Sequence, residues 1–97
     1  MLVLKVLAGR APLHGYAIIS AIKEVSDEVL CVEEGSLYPA LHRMEGAGSI
    51  RASWKTKDDG RRTRIYELTA QGRKQLDEVE ARWTAVAGAV QRVLKLA

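Results

Sequence analysis

Six of the fifteen basic side chains crowd into one short stretch, Arg51, Lys55, Lys57, Arg61, Arg62 and Arg64, against only Asp58 and Asp59. Cations at that density attract phosphates or another polyanion, or else form a solvated face. A second set lies just upstream, where Pro39, His42 and Arg43 share one side of a helical stretch with Ser36 and Tyr38 on its flanks. Hydroxyls near a helix N-terminus suit phosphate oxygens, because the free amides there already favour an anion. A guanidinium such as that of Arg43 can bridge O6 and N7 of a guanine or hold a phosphate. Catalytic inventories come up empty. No Ser-His-Asp motif, glycine-rich phosphate loop or metal-spaced cluster is present, and Glu33-Glu34 reads as helix-start charge. With one cysteine and two histidines, a four-ligand zinc site would need carboxylates, so no metal or cofactor is expected.

The elements that must position these groups follow from periodicity. Leu2–Leu7 reads as a short buried helix or strand, ended by Gly9-Arg10-Ala11-Pro12. From Leu13, the residues Ala17, Ile18, Ala21, Ile22 and Val25 form one apolar helix face. Within that helix Tyr16 is a candidate for packing in the core. Val29–Cys31 follows as a short strand or extended connector, with Cys31 expected to be buried as a small apolar residue rather than to act as a redox sensor. Gly35 or Ser36 then caps a second helix whose first turn takes Pro39. Leu37, Leu41 and Met44 share its buried face, Pro39, His42, Arg43 and Gly46 the opposite one.

The period changes to two at Ile50, Ala52 and Trp54, which predicts a half-buried strand with Trp54 packed in the core. Asp58-Asp59-Gly60 supplies a turn, and Thr63–Leu68 returns with Tyr66 and Leu68 inward, leaving Arg61 and Arg62 at the tip. Thr69 caps a last helix with apolar residues at Leu76, Val79, Trp83, Val86, Val90, Val93 and Ala97, alternating steps of three and four. That is a heptad seam suited to self-association, with Gly88 off the seam as a helix-interior cost. Trp83 on this seam either packs at the interface or stacks on a flat aromatic effector.

Size supports pairing. A chain of 97 residues buries only roughly 60–65% of the surface it exposes when unfolded, and a lone cysteine provides no internal disulfide. The apolar stretch Met1–Ala8 carries Lys5 and is too short for a membrane span or signal peptide, so a cytoplasmic protein without membrane attachment is expected.

The order helix, helix, helix, hairpin is that of a winged helix-turn-helix, whose second turn helix enters the DNA major groove while the wing meets phosphates or the minor groove. Several runs also resemble the PadR family of bacterial transcription regulators: Leu13-His14-Gly15-Tyr16-Ala17-Ile18, Gly35 through Glu45 with its Ser-Leu-Tyr-Pro-Ala-Leu-His-Arg core, Gly48-Ser49-Ile50 followed by Trp54, and Gly60-Arg61-Arg62 leading to Tyr66–Gly72. The resemblance implies a dimeric winged-helix repressor of the short subfamily, with one C-terminal dimerisation helix and often a small effector, and it puts His14-Gly15-Tyr16 near the DNA backbone.

The expected fold is thus mainly α with a small β-hairpin. Residues 1–69 form a winged helix-turn-helix DNA-binding domain and 70–97 a dimerisation helix. The expected partners are double-stranded DNA carrying an inverted repeat, a second copy and a small aromatic effector. The competing class, a winged-helix protein-interaction module that never touches DNA, fits the basic hairpin less well.

Overall fold

The computed structural model describes residues 1–96. Its apolar opening run is a helix, α1 (Leu2–Ala8), that buries Val3, Leu4 and Leu7. An extended pair, β1 (Leu13–His14), precedes α2 (Gly15–Val25), so the helix expected from Leu13 starts later. His14 is its N-cap, and its Nδ1 accepts from the amide of Ala17 at 3.2 Å. An imidazole nitrogen here does what a Ser or Asp oxygen usually does. Leu13 and His14 are drawn into a sheet, pairing with Tyr66 and Ile65. Two residues carry too little alternation to be read as a strand.

After α2 the chain turns through Asp27 and Glu28, both left-handed with φ of 51° and 64°. Ser26 Oγ accepts from the amide of Leu30 at 3.0 Å and ties this turn down. Residues 29–31 are a connector without strand pairing, and Cys31 is exposed rather than buried. Its Sγ lies over the turn, 3.5 Å from the Glu28 carbonyl, while its neighbour Val32 packs against the core.

The next helix, α3 (Glu34–Gly46), has Glu33 as N-cap with no side-chain hydrogen bond, so neither Gly35 nor Ser36 caps it. Pro39 consequently falls in the second turn rather than the first. It lacks the amide that would bond the Gly35 carbonyl, and Gly35 is exposed, so that acceptor faces water. Leu37 and Leu41 are buried and Met44 half-buried, as their spacing predicts.

Gly48, left-handed at φ 81°, turns the chain into β2 (Ile50–Thr56), which pairs antiparallel with β3 (Arg62–Leu68). Ile50 faces Leu68, Trp54 faces Arg64 and Thr56 faces Arg62, and the strand order is β1-β3-β2. The tip closes with the Lys57 amide donating to the Arg61 carbonyl at 2.7 Å around Gly60, φ 83°. Ile50 and Tyr66 are buried and Leu68 half-buried on the core side. Trp54 on that same side is 53% exposed, against the expectation that it anchors the core. The alternation is right, but the hairpin outruns the helices beneath it after Ala52.

The last helix, α4 (Ala70–Leu94), would be about 37 Å long at 1.5 Å per residue. Thr69 caps it, its Oγ1 accepting from the Gly72 amide at 3.0 Å. The root of α4 is clamped to the turn between α3 and β2. Thr69 Oγ1 lies 2.6 Å from the Gly48 carbonyl and 2.9 Å from that of Ser49, and Gln71 Nε2 donates to Ala47 at 3.0 Å. Ser49 Oγ, itself buried, bonds Gln75 Oε1. Leu76 enters the core formed by Ile18, Leu37 and Leu41 from the other helices. Past Glu80, which pairs with Lys5 of α1 at 3.2 Å, the helix runs largely exposed to its end. The molecule accordingly measures 60 × 28 × 22 Å. Ala97, the last seam position, lies outside the described residues. Among the described residues no helix is long and apolar enough to cross a membrane.

Candidate nucleic-acid interface

Because Leu37, Leu41 and Met44 turn inward, α3 leaves Ser36, Pro39, His42, Arg43 and Gly46 exposed. Tyr38 is 44% exposed, and its phenol lies over Gly15 at the start of α2. A Cβ at position 15 would come within 2.7 Å of the Tyr38 hydroxyl, so glycine is what lets the ring settle there. Tyr38 therefore braces the two helices of the turn while part of it remains on the surface. Tyr16, which could have been core, is exposed beside them.

The hairpin stands alongside the C-terminal half of α3, and one ion pair joins them: Arg64 Nη2 to Glu45 Oε1 at 2.9 Å, both side chains about one-third exposed. Arg64 is thereby committed to holding the wing against α3, and its charge is partly offset. Arg61 lies beside Asp59, Nε to Oδ2 at 3.5 Å, on a highly exposed tip where such a pair is weak. Arg51 pairs with Glu67 at 2.8 Å. Among the described residues Arg43, Lys55, Lys57 and Arg62 form no ion pair. These four cations, with Arg61, are the charge left over for a polyanion. At the base of the wing, burial raises the pKa of the Tyr66 phenol from its ordinary value, with Arg64 pulling the other way.

On α4, Leu76 is only 1% exposed and belongs to the chain's own core, so it offers no surface to a partner. Val79 is half-buried, and Trp83, Val86, Val90 and Val93 form an exposed apolar row. The charge pattern did not reveal Trp54, which has Arg62 and Arg64 stacked 4.9 and 5.1 Å from its ring centre. Only the cross-strand register brings these three together. A groove of about 270 Å³ between α1 and α2, lined by Leu2, Val6, Ile22, Val25 and Leu30, also had no signal in the sequence.

A three-helix scaffold with a buttressed second turn helix and a cationic wing is the geometry expected of a DNA-binding regulator. The model of the Transcriptional regulator PadR-like family matches residues 3–78. The chain belongs to this family. It is similar to a 37.1 kDa protein in transposon TN4556 of Streptomyces fradiae, 46% identical over 77 residues, 79% of this chain and 20% of that one. It is also similar to a transcriptional regulator of Mycobacterium tuberculosis, 39% identical over 56 residues, 58% of this chain and 51% of that protein. The chain thus spans a fifth to a half of the length of these two curated relatives. Among solved structures it resembles a PadR-like regulator from Bacillus cereus, TM-score 0.82 at 26% identity, covering 98% of this chain and 89% of that one. PadR-like proteins are non-enzymatic transcriptional regulators that bind DNA, in keeping with the absence of a catalytic motif from the sequence.

Proposed function

We propose that this PadR-like protein is a homodimeric, cytoplasmic transcriptional repressor that binds an inverted-repeat operator and releases it when a small aromatic effector binds. Residues 1–69 contact DNA and 70–97 pair two copies. The observation that carries the reading is the Arg64–Glu45 bridge, which holds the face of the wing that carries the unpaired Arg62 against α3, while Lys55 and Lys57 stand on the wing's other face, near the start of α2. Ser36, Tyr38, Pro39, His42 and Arg43 meet the major groove and its phosphates, while Lys55, Lys57, Arg61 and Arg62 meet the flanking backbone. Arg64 contributes by fixing the wing.

Pairing is supported by the free length of α4. An isolated helix of about a dozen residues is marginal in water, and this one carries Trp83, Val86, Val90 and Val93 in a single exposed row. A second copy laid along that row buries them, and binding to adjacent half-sites then requires the two α3 helices to lie about 34 Å apart, one turn of B-DNA. Trp83 packs on this seam, and a gap beside its flat ring is where an aromatic effector would stack.

The test is titration of the protein against its own upstream DNA and against a scrambled duplex at two salt concentrations. Tight, salt-dependent binding to the first with weaker binding to the second is expected. Equal, salt-insensitive binding or none would overturn the operator assignment and favour a protein-docking role.

A further inference from the structure

We infer that Trp54 is a positioning residue for operator binding, an aromatic platform that holds Arg62 in its DNA-contacting pose and ties it to α3 through Arg64 and Glu45. The inference rests on the DNA-binding reading above. Burial does not explain the residue, since it is half exposed and belongs to the exposed outer end of β2. Its surroundings do. Arg62 and Arg64 lie two residues apart on β3 and therefore on one face, and Trp54 is the direct cross-strand neighbour of Arg64. Both guanidinium carbons lie close to 5 Å from the ring centre, within the range where the π face attracts a cation.

Two guanidinium groups on one ring also repel each other. Glu45 relieves half of that conflict by taking Arg64 at 2.9 Å. Arg62 has no carboxylate partner among the described residues. The free protein thus holds one cation more on the platform than its own acids balance, and a DNA phosphate supplies the missing anion. Because Trp54 orders Arg62 beforehand, the rotamer freedom of a long side chain is already restricted when DNA arrives. The chain Arg62–Trp54–Arg64–Glu45 also fixes the wing's pitch relative to the helix that reads the groove.

The experiment is a double-mutant cycle on affinity for the upstream duplex, with the salt dependence measured for each variant. Trp54→Leu keeps apolar bulk without a π face and should weaken binding about fivefold while leaving the salt slope unchanged, because no charge is lost. Arg62→Ala should weaken binding and lower the slope by about 0.9. The double variant should bind about as Arg62→Ala alone, and Trp54→Phe should retain near wild-type affinity. In a Trp83→Phe background, where Trp54 is the only tryptophan, its emission should change on adding DNA. Single effects that multiply in the double variant, or a Trp54→Leu protein that binds like wild type, would overturn the platform while leaving operator binding intact. A wild-type protein that binds no duplex would instead refute the proposed function.

Discussion

Replacing Gly72 with alanine tests the clamp at the root of α4. A Cβ at this position would lie 1.9 Å from the carbonyl oxygen of Ser49 and 2.8 Å from Leu68 Cδ1. The first contact is with backbone, so no rotamer change relieves it, and the start of α4 must move away from the turn that follows α3. That motion stretches the hydrogen bonds that the Thr69 amide, the Thr69 hydroxyl and the Gln71 side chain donate to the carbonyls of residues 47–49. Losing three such bonds at a net value near 1 kcal/mol each costs about 3 kcal/mol. Alanine's better helix propensity returns at most about 1 kcal/mol, leaving a net loss of about 2 kcal/mol. For a domain of this size the melting temperature should fall by about 8–16 °C, followed by far-ultraviolet circular dichroism at one fixed protein concentration. Gly88→Ala on the same helix is the control. Its Cβ would meet only the Arg92 guanidinium at 3.5 Å, an ordinary contact, so stability should rise by about 0.5–1 kcal/mol. A Gly72→Ala protein that melts with or above the wild type would refute the clamp.

Three further outcomes are expected. Val86→Glu, at the middle of the exposed row, should raise the dimer dissociation constant by roughly 10²–10⁴, from about 1.5–3 kcal/mol of lost burial per copy, and abolish operator binding; a variant that light scattering finds dimeric would defeat the pairing argument. Arg61→Ala combined with Arg62→Ala should weaken binding to every duplex and lower the salt slope by about 1.8, and an unchanged slope would remove the wing from the contact surface. Cys31, exposed in the acidic connector, should react stoichiometrically with a thiol reagent in the native state, while Cys31→Ser leaves operator affinity unchanged; a thiol that is silent until denaturant is added would contradict its placement.

Long periodic segments were readable in the sequence. The inward faces of α2 and α3, the hairpin, the Thr69 cap and the apolar row of α4 all follow from spacing and turn chemistry. The departures have physical causes that a linear pattern does not contain. β1 exists because β3 offers an unpaired edge beside it, and two residues have no detectable period. Trp54 and Leu76 fit their patterns, yet their burial depends on where neighbouring helices stop and start: Trp54 lies beyond the helices, Leu76 among them. The start of α3 was displaced because Gly35 and Ser36 look like caps, whereas Glu33 takes that role without a side-chain hydrogen bond. At the interface, residue types identified the cations, but not which of them acids already occupy. Arg64 and Arg43 carry the same charge on paper, and only Glu45 separates their roles. The groove between α1 and α2 depends on the angle between two helices, which no single segment encodes.

The clamp around Ser49 has a geometric corollary. A rod of about 37 Å hinged at its root converts a 5° tilt into roughly 3 Å at its far end. That displacement is close to the 3.4 Å rise of one base pair. In a two-fold pair joined along such rods, the optimal spacer between half-sites would be set by this joint, remote from the α3 face proposed to read the bases. Altering Gln71 or Gln75 should therefore shift which spacer length is bound best.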